Sequence, residues 1–218
     1  VDNDGCDSNC KPSGCGNGVT TGAEQCDDGN DVDGDGCDNN CTNTACGNGI
    51  LTTGETCDDA NTAGGDGCSA ACAPEAGYTC NGAPSTCLTT CGDGVKAGAE
   101  ACDDGGTAAN DGCNATCAVE TGWSCSGSPQ STCTPICGDG LIKGGEVCDG
   151  GGTAAGNGCS ATCTLEAGYV CMGEPSVCMT VCGDGITAGA EACDDANGTA
   201  GDGCTACAID NGYGCSGS

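Results

Sequence analysis

Cysteines recur in this chain at a fixed rhythm, and that rhythm limits what the chain can fold into. From Cys15 the intervals run 11, 11, 4, 5; then 11, 11, 4, 8, 7, 4; then 11, 11, 4, 8, 8, 4; then 11, 11, 4, 8, 7, 4; then 11, 11, 3, 8. Such a ladder marks a tandem array of one small cysteine-stapled unit. A conventional core is not available instead. Phe is absent, and Val, Leu, Ile, Met, Tyr and Trp together supply 24 side chains in 218 residues, against 44 Gly. That is too little apolar surface to offset the ordering entropy of the chain. Covalent staples must replace burial, and disulfides place the chain in an oxidising, extracytoplasmic setting.

In register, a four-cysteine module reads CGNGVTTGAEQCDDGNDVDGDGCDNNC (15–41), CGNGILTTGETCDDANTAGGDGCSAAC (46–72), CGDGVKAGAEACDDGGTAANDGCNATC (91–117), CGDGLIKGGEVCDGGGTAAGNGCSATC (137–163) and CGDGITAGAEACDDANGTAGDGCTAC (182–207). Three modules carry a further two-cysteine tail: APEAGYTCNGAPSTC, AVETGWSCSGSPQSTC and TLEAGYVCMGEPSVC. The organisation expected is the end of a truncated repeat at 1–14, a short four-cysteine repeat at 15–45 and six-cysteine repeats at 46–90, 91–136 and 137–181. A truncated six-cysteine repeat at 182–218 completes it. The odd total of 29 cysteines is then explained by repeats that both chain ends interrupt. No initiator Met, signal peptide or apolar stretch of about 20 residues is present, and a leader removed upstream is expected.

Because the repeat at 15–45 lacks a tail, the first four cysteines are expected to close two bridges among themselves. The tail pairs are then Cys80–Cys87, Cys125–Cys133 and Cys171–Cys178. Which of three pairings the first four adopt stays open. The expected fold is a set of small disulfide-rich repeats with little regular structure: short β-strands or hairpins and Gly/Asp loops, strung into an elongated rod or filament. One strand is expected just after CGDG, where an aliphatic stands (Val19, Ile50, Val95, Leu141, Ile186). A second strand or hairpin is expected around Tyr78, Trp123, Tyr169 and Tyr213. These positions are read as the small core of each repeat. The tail of one repeat is expected to pack on the CGDG strand of the next.

The combination of C-G-[DN]-G, E-x-C-D, [DN]-G-C and the tail E-x-G-[YW]-x-C-x-G-x-P-S-x-C resembles the Myxococcus cysteine-rich disulfide repeat family. The resemblance covers essentially the whole chain. It implies a tandem extracellular or cell-surface array and no particular activity. Departures are small: Asn17 and Asn48 replace Asp of CGDG, Asp149 precedes Gly150, Asn157 replaces Asp of DGC, and Asp210 stands where other tails have Glu.

Acidic residues keep step with the cysteines. They are Glu24, Asp27, Asp28 and Asp35 in the first module, and Glu55, Asp58, Asp59 and Asp66 in the second. The third has Asp93, Glu100, Asp103, Asp104 and Asp111, the fourth Asp139, Glu146 and Asp149, and the fifth Asp184, Glu191, Asp194, Asp195 and Asp202. With three lysines and a net charge of −29, almost no cationic side chain can pair with them. Like charges about 4 Å apart repel by about 4 kcal/mol near a protein surface. Oxygen ligands in Gly-permitted loops suit Ca²⁺, one or more ions per repeat. Residues 31–36 even show the D-x-D-x-D-G opening of an EF-hand loop, but Thr42 occupies its twelfth position, so no EF-hand is read.

The same charge excludes nucleic acid and anionic membranes as partners. Without His, a nucleophile motif or a phosphate loop, no enzyme is expected. The reading is a structural component of an extracellular fibre, filament or stalk that associates head to tail or continues as the same repeat chain. The rival is an adhesin or receptor-type module recognising glycan or protein on a cell surface. Sequons at Asn40, Asn114 and Asn197 permit glycosylation.

Overall fold

The computed structural model describes residues 5, 6, 8, 9 and 11–215; Cys10 of the partial repeat expected at 1–14 lies outside them. No described residue is helical, so no helix is long and apolar enough to cross a membrane. Regular structure is confined to two-stranded antiparallel sheets. They are β1 (Tyr78–Asn81) with β2 (Thr86–Thr89), β3 (Trp123–Ser126) with β4 (Thr132–Pro135), β5 (Tyr169–Met172) with β6 (Val177–Thr180), and β7 (Cys204–Thr205) with β8 (Ala208–Ile209). The first three are the tails. Their register sets Cys80 opposite Cys87, Cys125 opposite Cys133 and Cys171 opposite Cys178, and each pair is a disulfide.

The four-cysteine modules are nested. The first cysteine bonds the fourth and the second bonds the third: Cys15–Cys41 around Cys26–Cys37, Cys46–Cys72 around Cys57–Cys68, and Cys137–Cys163 around Cys148–Cys159. Cys182–Cys207 encloses Cys193–Cys204 in the same way. Cys91, Cys102, Cys113 and Cys117 are disulfide-bonded as well. Cys215 has no disulfide partner among the described residues.

The aliphatics after CGDG form no strand. The backbone there is held by side-chain acceptors of the preceding Asx: Val19, Ile50, Val95, Leu141 and Ile186 donate their N–H to Asn17, Asn48, Asp93, Asp139 and Asp184. An N–H held by an Asx turn cannot enter a ladder. Nor do these aliphatics make the core. Among the described residues the buried apolar side chains are half-cystines and Trp123; Tyr78 and Tyr169 are half-buried and Tyr213 is 55% exposed. The disulfides are therefore both the staples and the interior.

The described residues divide into two compact parts, one running to Gly106 and including Ser128–Ser131, the other comprising Thr107–Gly127 and the chain from Thr132 onward. Within each part, a tail packs on the loop of the next module. A side chain on Gly77 would press into Val95 and Ala97, and one on Gly168 into Ile186 and Ala188. Tyr169 lies between two glycines. A Cβ on Gly158 would sit 2.8 Å from its ring and one on Gly189 2.8 Å from its hydroxyl, so only Gly admits the aromatic at either side. The Tyr169 hydroxyl donates to Gly156 O at 2.9 Å, as Tyr78 does to Gly65 O at 3.1 Å.

Candidate functional site

The chemistry of each repeat gathers around the aspartate that comes directly after the second cysteine. Asp58, Asp103 and Asp149 are fully buried. Their charge is met by backbone N–H groups from the glycine-rich loop after the first cysteine. Asp149 Oδ2 accepts from Gly138 and Asp139 at 2.6 and 3.2 Å, and Oδ1 from Gly140 and Gly151 at 2.9 and 2.8 Å. Asp58 repeats this with Gly47, Asn48, Gly49 and Ala60, and Asp103 with Gly92, Gly94 and Gly105. The less buried Asp27 and Asp194 sit on equivalent donors. Glycines at positive φ on both sides of the Asx, such as Gly138 at 93° and Gly140 at 87°, turn successive N–H groups toward one point, which makes an anion nest.

Burial is the largest single influence on Asp149 and on Asp103, and it pushes both carboxyls up. The N–H groups of Gly151, Gly138, Gly140 and Asp139 together outweigh it for Asp149, which ends below its ordinary 3.8. Asp103 is lowered the same way by Gly105, Gly92, Gly94 and Asp93.

The tail closes the other side of this aspartate. Ser176 N donates to Asp149 O at 2.6 Å, and Asp149 N donates to Ser176 Oγ at 3.0 Å. Ser85 and Ser131 make the same exchange with Asp58 and Asp103. Replacing Ser176 by Ala strands the buried Asp149 N–H, and we expect a loss of about 1–2 kcal/mol in local opening free energy, read by exchange of that amide.

The other acids are engaged one at a time rather than gathered. Glu24, Glu55, Glu100, Glu146 and Glu191 each accept the N–H three residues earlier through Oε2, closing a turn. Asp93, Asp139 and Asp184 form the Asx turns that hold the aliphatics. That role needs an acceptor and not a charge, which accounts for Asn17 and Asn48. Asp28 and Asp104 cap local N–H groups, Asp35 and Asp66 accept from Asn30 and Asn61, and Asp111, Asp195 and Asp202 are exposed. In residues 31–36, Asp33 turns to Asn39 while Asp35 turns to Asn30, so the acids diverge.

Four residues unread in the sequence act as clamps. Glu75 accepts from Gly65 and Gly67, Glu120 from Asn110 and Gly112, and Glu166 from Gly156 and Gly158. The Gly156 and Gly158 amides hold Glu166 below its ordinary 4.5. In the tail-less repeat, fully buried Asp38 instead accepts from Gly34, Thr44 and Asn48, tying 15–41 to the next module. The cue was present: a tail Glu seven residues after the cysteine of [DN]-G-C in the three complete tails, with Asp210 in its place in the last, where it accepts from Gly203.

Possible ligand atoms do approach one another. Glu146 and Asp149 lie with the sulfurs of Cys137 and Cys163 within 4.8 Å, as do Glu24, Asp27 and Cys41; Glu55, Cys46 and Cys72; and Asp194, Cys182 and Cys207. Groups of acidic and cysteine side chains that could hold a metal thus exist. Their sulfurs are disulfides and cannot bind as thiolates. The nest aspartates spend both oxygens on N–H donors. Among the described buried carboxylate oxygens, Oε1 of Glu100, Glu146 and Glu191 and Oδ1 of Asp59 have no hydrogen-bond partner. Among the sequons, Asn40 and Asn197 donate Nδ2 to Asn48 O and Asp195 O, and Asn114 Oδ1 accepts from the Thr116 N–H and hydroxyl.

The family profile described as Domain of unknown function (DUF4215) matches five times in tandem, at residues 2–42, 38–73, 71–118, 120–164 and 166–208. The chain belongs to this family. The last two matches of the DUF4215 profile begin in a tail, and all five end one residue after a fourth cysteine. That phase fits a tail that contacts the module on either side of it. No curated protein matches the chain.

Proposed function

We propose that this chain is a structural segment of an extracellular fibre, filament or stalk built from tandem DUF4215 repeats. One observation carries the reading: the interior of each repeat is cystine, which only an oxidising surrounding maintains. Tails that contact both neighbouring modules favour linear continuation, and a copy joined head to tail extends the same pattern. The resemblance to Myxococcus cysteine-rich repeats points to the same cell-surface setting. With no His and no nucleophile motif in the chain, no enzymatic role is proposed. Electron microscopy of the oxidised chain tests the reading: ordered linear assemblies support it, and monodisperse particles at every concentration sink the filament.

Calcium enters this reading in a narrowed form. The buried carboxylate oxygens without a hydrogen-bond partner are Oδ1 of Asp59 and Oε1 of Glu100, Glu146 and Glu191, one in each of four modules and far short of the 6–8 oxygens Ca²⁺ takes. We expect binding no tighter than the ~10⁻⁴–10⁻³ M of extracellular modules. Titrating Ca²⁺ into the chain should move the Glu146 side-chain carboxyl resonance in that range, and an unmoved resonance removes calcium from the account. Half-burial of Tyr78 and Tyr169 and burial of Trp123 count against a glycan-stacking platform. A protein-binding role gains from a different surface, the outer face of β5–β6.

A further inference from the structure

The three tail hairpins share a backbone but not an outer face. With the disulfide pointing inward, four side chains face outward on each. On β3 and β4 they are Ser124, Ser126, Thr132 and Thr134, all polar. On β1 and β2 they are Thr79, Asn81, Thr86 and Leu88, with one apolar member. On β5 and β6 they are Val170, Met172, Val177 and Met179, paired Val170 with Met179 and Met172 with Val177. These four are 41, 60, 68 and 52% exposed. Both methionines of the chain stand on this one face.

Single exposed aliphatics need no explanation, but a contiguous apolar block in a chain this poor in apolar residues does. Packing of its own repeat does not require it, because β3–β4 builds the same hairpin with hydroxyl side chains. Met is flexible and polarizable and suits surfaces that accept a partner. The charge of the chain states the partner's chemistry. Against 32 acids there are three lysines, and Lys143 is already paired with Glu174 at 3.4 Å. A second copy laid on this face would set the same negative field beside it and an anionic bilayer would be repelled, whereas a basic segment is drawn in.

We propose that the outer face of β5–β6 is a docking site for a cationic segment of another protein that presents alternating apolar and basic side chains. This interaction goes beyond the structural role and does not depend on filament formation.

The test uses the intact oxidised chain and a fluorescein-labelled peptide of alternating leucine and lysine, monitored by anisotropy. The variant carries Val170→Ser, Met172→Ser, Val177→Thr and Met179→Thr, which gives β5–β6 the outer face of β3–β4. Retained protection of the Gly138 and Gly140 amides shows that the variant is folded. The parent should bind the peptide, and the variant should bind it at least about tenfold more weakly. A serine–lysine peptide should bind both weakly and equally. No binding by the parent, or equal binding of the leucine–lysine peptide by both, overturns the proposal. So does sedimentation showing that the parent self-associates through this face while the variant stays monomeric, since the occupant is then a second copy.

Discussion

Reduction of the disulfides unfolds every described repeat in water without denaturant. The expectation rests on the groups that fill the interior. Removing the bridge Cys148–Cys159 takes away an 11-residue closure and Cys137–Cys163 a 26-residue one. Chain entropy values these at about 2.8 and about 3.5 kcal/mol when each is considered alone. A small domain holds in total only about 5–15 kcal/mol. The loss is larger than closure entropy, because Cys148, Cys159 and Cys163 are themselves the buried side chains of their module. Thiols in their place are small side chains no longer tied to one another, too little apolar surface to hold the loops together. A reductant series monitored by hydrogen exchange and mass spectrometry should show protection vanish with the bridges. A reduced and alkylated chain that kept its protected glycine amides would refute this.

The second large effect is local and electrostatic. Asp149→Asn keeps shape but places an NH₂ against two backbone N–H groups that had an oxygen. Stranding two buried donors costs about 3 kcal/mol at this module, while the neighbouring nests at Asp103 and Asp194 keep their strength. Titration carries the same information. The folded carboxyls of Asp149 and Asp103 lie below the ordinary 3.8, so their contribution is fully present above that value. It is lost as pH falls through the lower folded values. After correction for intrinsic rates, the amides of Gly138, Gly140 and Gly151 should stay protected at about pH 5 and open only in stronger acid, with the disulfides still intact. In the Asn variant that pH dependence is absent. Opening at mildly acidic pH would contradict the depressed carboxyl.

The cysteine intervals made the repeat, its tail and the tail bridges legible, because spacing survives in a sequence. They could not choose the nested pairing of the first four, since all three pairings close loops of workable length. The acids were legible as a pattern but not as an arrangement. A sequence counts side-chain charges, and on that count Asp58 or Asp149 lacks a counterion. The groups that answer them are backbone N–H donors of Gly-Asx-Gly, which carry no letter of their own. The interchange of Asn48 with Asp93 and Asp139 was the available hint that this position supplies an acceptor to its own turn. Val95 and Leu141 read as strand residues by type, but the Asx turn before each takes the N–H a ladder needs. Tyr169 was readable as a packing residue, whereas the glycines on either side of it are close only in three dimensions.

The central claim is that disulfides and amide-held aspartates are enough to keep each repeat folded. Hydrogen exchange at the Gly138 and Gly140 amides of the oxidised chain in excess calcium chelator tests it most directly. The account predicts protection unchanged by the chelator and abolished by reductant. Free exchange of these amides in chelator, with every disulfide still closed, would contradict it.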